Sequence, residues 1–328
     1  MIQPVTIWVM TEGHLGMENQ ARGVAEAVVN AVSGTVVVKR IAVRPPWRWL
    51  PAGAWPTPLL AVGNGGDPIA PPWPDVVVSC GKRTIALNTA IRKSTRGVTL
   101  AVHIQHPHVP ADRFDLIVVP QHDDLRGPNV LVTRAAVHRV TMDRLARGRQ
   151  AARAGVSNGR QAVTVLIGGS NNRHRLTEAV VTRLGGQLAS LCATQPVDLR
   201  ITPSRRTDPA MVAILKDRLS ETDAVIWDGS GDNPYFDWLG LADTVLVTWD
   251  SVSMTSEALA TGKPVYVVPM EGASRRIDRF QKQLEADGYT RTFAGKLDHW
   301  HYEPPDDTAA AAAQIQALLA ARNAPSSR

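Results

Sequence analysis

The chain has 328 residues, 44% of them hydrophobic, and its 36 Lys and Arg against 30 Asp and Glu leave a net charge of +6. That length suits two domains of roughly 100 to 200 residues, and the apolar content is ample for packed cores. The charge is uneven: residues 1 to 150 hold 17 Lys and Arg against 10 Asp and Glu, and the remainder 19 against 20, so the halves carry +7 and −1. A basic first half points to an anionic partner there, and with no zinc-finger, RRM-like or basic-helix pattern nucleic acid is not the expected one. Cys80 and Cys192 lie far apart among apolar neighbours, which predicts free buried thiols and a reducing cytoplasm. No stretch reads as a secretory leader or reaches the roughly 18 unbroken apolar residues of a membrane span, so a soluble protein is expected.

In chain order, VTIWVM (5 to 10) predicts a strand, Glu18 to Val32 a helix, and TVVVKRIAV (35 to 43) a second strand. DVVVSC (75 to 80), a helix over Arg83 to Lys93, VTLAVHI (98 to 104) and DLIVVP (115 to 120) continue the βαβ rhythm of a parallel sheet. Between them, residues 45 to 74 hold four of the nine tryptophans among many prolines, an exposed or semi-irregular insertion. Its tryptophans read either as caps on a local core or, beside Arg48, as a contact for lipid headgroups. RLARGRQAARAGVSNGR (144 to 160) has no strong apolar face and reads as the linker.

A second alternation follows: AVTVLIGG (162 to 169), a helix Leu176 to Leu191, VDLRIT (197 to 202), a helix Pro209 to Leu219, AVIWD (224 to 228) and TVLVT (244 to 248). TWDSVSMTSEALATGKPV then takes the chain through a helix over Ser253 to Thr261 into the strand PVYVVP. Gly262 suits the position just past that helix, and Lys263 its negative end. The Ala-rich DDTAAAAAQIQALLAAR closes the chain as a helix.

Chemistry is expected where strands hand over to helices. Gly168 and Gly169, followed by Ser170 and Asn171, could cradle a phosphate, although GGS is neither Walker A nor GxGxxG and a plain tight turn explains it as well. Arg205 and Arg206 offer planar forks to a diphosphate or carboxylate, or are solvated residues before a cap at Thr207 or Asp208. His14, between Gly13 and Gly16, could act as a general base, and His122 and Asp123 end another strand. HIQHPH beside PQHDD raises metal binding, but HxxHxH fits no clear ligand geometry, so no metal is expected. Ser251, Ser253 and Met254 stand at the mouth of the TWDSVSM helix. Glu257 cannot be a capping-box residue, since Met254 stands three before it. It shares a helix face with Ser253, and its carboxylate can accept two hydroxyls of a ribose while the helix start meets a diphosphate.

GHLGMENQ, CGKRT, PQHD, IGGSN, SRRT, GDNPY and TWDSVSMTSEALATGKPV, in that order over nearly the whole chain, resemble the bacterial branch of the Elm-type (elongate mitochondria) mitochondrial fission protein family. The resemblance implies an α/β, GT-B-like fold: two Rossmann-like doubly wound domains facing a cleft, with a C-terminal helix crossing back to the first domain. The expected division is an acceptor-side domain over 1–155, a nucleotide-sugar-binding domain over 156–303, and a terminal helix over 304–328. Its closest functional analogy is the peptidoglycan GlcNAc transferase, whose donor site has a similar GGS turn and a Ser-Glu pair like Ser256 and Glu257. The GxGGH of that enzyme's first loop is replaced here by Glu12, Gly13, His14, Leu15 and Gly16.

The implied activity is metal-independent transfer from a nucleoside-diphosphate sugar, such as a UDP-sugar, to an envelope or lipid-linked acceptor, with His14 or Asp123 as base and no resident cofactor. The implied partners are the nucleotide sugar and an anionic membrane surface, at the inner face of the cytoplasmic membrane. Eukaryotic relatives act in mitochondrial division by recruiting a dynamin-related GTPase, so a non-catalytic scaffold is the rival reading. A nucleotide-sugar epimerase with GxGxxG and Tyr-x-x-x-Lys signals is not expected, because both are absent.

Overall fold

The computed structural model describes residues 4–153 and 159–323. Two compact units emerge: 1–139 together with 306–328, and 140–305. In the first unit, β1 (Val5–Thr11), α1 (Leu15–Val32), β2 (Gly34–Arg40), β3 (Val76–Cys80), α2 (Thr84–Ser94), β4 (Leu100–Ile104), β5 (Leu116–Pro120) and β6 (Val130–Thr133) build one sheet. All its strands are parallel, in the order β2-β1-β3-β4-β5-β6. The continuous apolar runs mark buried strands: every residue of β3, β4 and β5 is buried. β6, half-buried and only four residues long, was not foreseen.

The Pro-rich insertion forms three short 3-10 turns, Trp47–Trp49, Ala52–Ala54 and Pro58–Ala61. Trp55 is buried with Trp8, Ile41 and Ala61, while Trp47 and Trp73 pack against that cluster. Three of the four tryptophans therefore cap a local core. Trp49 does not.

The second unit opens with α3 (Met142–Ala152), followed by β7 (Gln161–Ile167), β8 (His174–Arg175), α4 (Glu178–Thr194), β9 (Val197–Pro203), α5 (Pro209–Arg218), β10 (Val225–Ile226), α6 (Tyr235–Leu241), β11 (Thr244–Thr248), α7 (Val252–Leu259), β12 (Val265–Val268), β13 (Glu271–Gly272), α8 (Arg275–Ala286) and β14 (Thr290–Thr292). Its main sheet is again all parallel, ordered β10-β9-β7-β11-β12-β14. β8 and β13 form a separate antiparallel pair.

The expected linker is corrected here. Residues 142–152 are helical, capped by the Thr141 hydroxyl accepting from the Arg144 amide, and 154–158 lie outside the described residues. α3 was missed because it docks through glycines rather than an apolar stripe. A Cβ on Gly148 would stand 2.6 Å from the Phe236 carbonyl oxygen, and one on Gly240 2.2 Å from that of Leu145, so the α3 and α6 backbones touch. The break between units accordingly falls before α3, near 140, rather than near 155. α8 was also unforeseen, although Ile277, Phe280 and Leu284 show helical spacing and Ser274 caps it.

α9 (Asp307–Asn323) belongs to the first unit. Ala311, Ala312, Ile315 and Leu319 enter the core of the β1-α1-β3 layer. The Asp307 carboxylate accepts from the amides of Arg134 and Ala135 at 3.0 and 2.7 Å, and Arg322 reaches Asp75 at 3.1 Å.

Glu18, in the GHLGMENQ stretch, is a structural residue. Its buried carboxylate takes two 2.8 Å hydrogen bonds from Arg40, which hold its pKa below the ordinary carboxylate range against the opposing effect of burial. A depressed carboxylate contributes stability above its unfolded pKa and loses that contribution as pH falls through the folded one. Glu18→Gln is expected to lower stability by about 2 kcal/mol at neutral pH, with a difference from wild type that shrinks on acidification, measured by urea unfolding at several pH values.

Candidate functional site

In the second sheet the connections run outward in opposite directions from β7 and β11, which makes their junction a topological switch point. In an open parallel sheet the crevice beyond the carboxyl ends of two such strands is where ligands bind. Here it is bounded by Gly168 to Asn171 after β7 and by Trp249 to Ser251 after β11.

Asp250 holds this junction together. Its fully buried carboxylate accepts from the Thr248 hydroxyl at 2.7 Å, from the Gly169 amide at 3.4 Å, and from Arg206 Nη2 at 2.7 Å. Arg206 also donates to the Gly169 carbonyl at 3.3 Å. The Gly168 amide donates to the Thr248 hydroxyl at 2.8 Å, and its carbonyl accepts from the Thr207 hydroxyl at 2.6 Å. Every backbone polar group of the glycine pair is thus held within the fold.

Of the two readings of this turn, the glycines themselves follow the tight-turn one. Gly168 and Gly169 are required by close approach: a Cβ on either would stand 2.1 Å from Asp250 Oδ1 or from the Arg206 carbonyl oxygen. Ser170 Oγ accepts from the Leu176 amide at 3.0 Å, and Asn171 Oδ1 from the amides of Arg173 and His174, both at 2.8 Å. Ser170 is exposed at the crevice nonetheless. Arg205 is exposed and has no hydrogen-bonding partner among the described residues, whereas Arg206 is committed to Asp250.

α7 starts two residues after Asp250. Ser251 caps it, its hydroxyl accepting from the Met254 amide at 3.2 Å, while Ser253 and Met254 are half-buried in the first turn. Ser256 is unsuited to ligand contact, because its buried hydroxyl donates to the Val252 carbonyl at 2.8 Å. Glu257 is only 5% exposed, and its Oε2 accepts from the Tyr235 hydroxyl at 2.5 Å. Burial, together with the facing Glu257 carboxylate, raises the Tyr235 pKa well above its ordinary value, so the phenol stays protonated as donor. Tyr235 and Asp250 are site residues that sequence reasoning missed, although both lie in stretches singled out above, GDNPY and TWDSVSM.

A second network adjoins the first. Asp278 of α8 accepts from the Trp249 indole at 2.8 Å and from the Ser274 amide at 2.9 Å, and lies 3.3 Å from His174 Nε2. Burial pushes its pKa up, but those hydrogen bonds outweigh burial and hold it low. Arg275, Asp278, Arg279, Lys282 and Gln283 line a groove of about 520 Å3, a basic feature not anticipated because α8 itself was not.

In the first unit, the corresponding switch point lies between β1 and β3. There the Glu12 carboxylate accepts from the Arg83 amide at 3.1 Å and from its guanidinium at 3.0 Å, so the unit's own anion occupies the start of α2. His14 is exposed at the start of α1 without capping it. Asp123 follows β5, three strand spacings from β1, or about 14 Å. His14 and Asp123 are therefore alternatives rather than a pair.

His103 is a core residue. Its Nδ1 lies 2.8 Å from Ser79 Oγ, which also accepts from Asn88 at 2.8 Å, and burial, aided by His106, lowers the ring pKa to about 3. Among the described residues no three His, Cys, Asp or Glu are grouped to hold a metal ion. Nor is any helix there long and apolar enough to cross a membrane. Cys80 is buried, whereas Cys192 is only half-buried; neither is in a disulfide.

Comparison with known proteins decides the family. Residues 15–319 match the mitochondrial fission ELM1 family. The chain belongs to that family. The mitochondrial fission protein ELM1 of Arabidopsis thaliana is 34% identical over 280 residues, 76% of this chain but only 65% of the plant protein. The protein RP120 of Rickettsia prowazekii is 28% identical, covering 75% of this chain and 80% of its own.

Among solved structures, UDP-GlcNAc 2-epimerase from Neisseria meningitidis, bound to UDP-GlcNAc, superposes with a TM-score of 0.53 at 14% identity, covering 96% of this chain and 99% of its own. The enzyme of that name from Methanocaldococcus jannaschii gives 0.52 at 10% identity, with coverages of 96% and 99%. The ELM1-family chain thus has the GT-B-like α/β fold, with a parallel sheet in each of two domains. Lack of GxGxxG and Tyr-x-x-x-Lys consequently does not separate transferase from epimerase, since epimerases are also built on this fold.

Tyr235→Phe removes the donor facing a buried carboxylate. It is expected to cost about 1 to 3 kcal/mol in chemical denaturation, with the fold retained by circular dichroism.

Proposed function

We propose that this ELM1-family protein is a metal-independent glycosyltransferase that takes a sugar from a nucleoside-diphosphate sugar, a UDP-sugar foremost, to an envelope or lipid-linked acceptor at the inner face of the cytoplasmic membrane. The observation that carries the reading is Glu257: a buried carboxylate one turn into a helix that begins at the switch point. A carboxylate accepts several hydrogen bonds, as a ribose diol requires, and the Tyr235 hydroxyl fixes its position.

The diphosphate would meet the amides of the first turn of α7, near Ser251 and Ser253, where the helix dipole favours negative charge. Ser170 and Arg205 are the further donors this reading assigns to it. Arg206 serves indirectly, neutralising Asp250 so that the crevice floor does not repel an anion. These groups supply the charge stabilisation for which other transferases recruit a divalent ion.

In the reaction, a general base, for which His14 and Asp123 are the candidates, takes the proton of an acceptor hydroxyl. The oxygen bonds to the anomeric carbon as the bond to the diphosphate oxygen breaks, and the nucleoside diphosphate leaves. A scaffold that recruits a partner protein is the second reading, favoured by the similarity to the Arabidopsis mitochondrial fission protein ELM1.

Calorimetric titration with UDP and UDP-sugars separates the two. Saturable binding weakened about 100-fold or more by Glu257→Ala, and left intact by Ser256→Ala, is the expected result. Absence of binding to any nucleotide favours the scaffold. Consumption of a labelled UDP-sugar only when lipid acceptor is added distinguishes transfer from epimerisation.

A further inference from the structure

We infer that the tip of the Pro-rich insertion in the first unit, Trp49, Leu50 and Leu60 flanked by Arg44 and Arg48, is a docking surface for an anionic lipid bilayer. It deepens the membrane-side acceptor of the proposed function and rests on that reading. The three apolar side chains are 72%, 39% and 59% exposed. Trp49 is the one aromatic ring among the large apolar side chains that stand exposed in the described residues.

Within the insertion, Trp49 is the one ring left exposed, since Trp55 is buried and Trp47 and Trp73 are half-buried. Trp55 lies in the local core, Trp73 packs edge-on against Trp8, and the Trp47 indole donates to the Pro56 carbonyl. The same chain that satisfies three tryptophans leaves the fourth facing water. Folding of the insertion does not require it.

Arg44 joins the apolar elements into one patch. Its Nε donates to the Leu60 carbonyl at 2.9 Å, its amide donates to the Ala61 carbonyl, and its guanidinium lies 5.3 Å from the Trp47 ring centre. Trp47 begins the turn that Trp49 ends, and the Arg48 amide of that turn donates to the Arg44 carbonyl at 3.3 Å, so the turn and Leu60 are both bonded to the same arginine. Arg48 is exposed on that turn.

Charge selects the occupant. Residues 41 to 66 carry Arg44 and Arg48 and no Asp or Glu, in the half of the chain that holds the excess positive charge. Tryptophan and leucine with adjacent arginines suit the headgroup boundary, where an indole is half-solvated, aliphatic groups enter the acyl region and cations meet lipid phosphate. Two short turns rather than a groove or an open strand edge offer little shape for a folded protein partner to grip.

The test is co-sedimentation of the full chain with vesicles of mixed phosphatidylglycerol and phosphatidylcholine, against vesicles of phosphatidylcholine alone. Wild type is expected to bind the anionic vesicles and to be released by salt. Arg48→Gln should weaken binding about fivefold, and Trp49→Ser with Leu60→Ser at least about tenfold. Because these side chains are exposed, the variants should unfold at the wild-type midpoint and bind UDP as wild type does. Failure of wild type to sediment with anionic vesicles, or equal sedimentation of the variants, overturns the surface and leaves a protein partner as the reading for this patch. UDP binding in the same preparation shows whether the donor reading stands when the surface fails.

Discussion

The second unit depends on one buried charge. Asp250 stands where β11 ends, and its two oxygens gather a threonine hydroxyl, a glycine amide and an arginine from three separate segments. A carboxylate removed from water this completely must be compensated, and removing one partner of such a pair leaves a costly uncompensated charge. The compensation comes from Arg206, which in turn fixes the loop after β9 and the carbonyl of Gly169. The GG pair, the SRRT turn and the TWD turn are therefore one object, each locked by the others. The start of α7 inherits its position from that object.

The strands were legible because parallel sheets covered on both faces need uninterrupted β-branched and aliphatic runs, and VVVSC, TVLVT and VYVV are such runs. Helices with an apolar stripe, such as α1 and α4, were legible in the same way. What stayed hidden was held by other means. α3 and α6 approach through Gly148 and Gly240, a contact that leaves no hydrophobic periodicity. α8 presents arginines and lysine around three apolar residues, so a scan for hydrophobic runs passes over it.

Within the candidate site, the sequence indicated the location better than the roles. Polar residues concentrated between two buried strands pointed to the carboxyl edge of β11, and the switch point is there. Spacing alone could not assign bonds. Ser256 and Glu257 are neighbours in sequence, yet one spends its hydroxyl on the helix carbonyl four residues back while the other meets a phenol from α6. Arg206 reaches Asp250 from 44 residues away and Tyr235 reaches Glu257 from 22, pairings that only the folded chain brings together.

The place of α9 bears on how the chain is made. Its buried alanines, Ile315 and Leu319 belong to the first unit's core, and Asp307 supplies acceptors for the amides just after β6. The whole second unit is therefore inserted into the first. During synthesis from the N-terminus, residues 140–305 leave the ribosome with all their own strands, while the first unit waits with part of its core uncovered. The second unit can complete its core first. The unit with the basic surface and the Pro-rich insertion closes only when the last helix arrives.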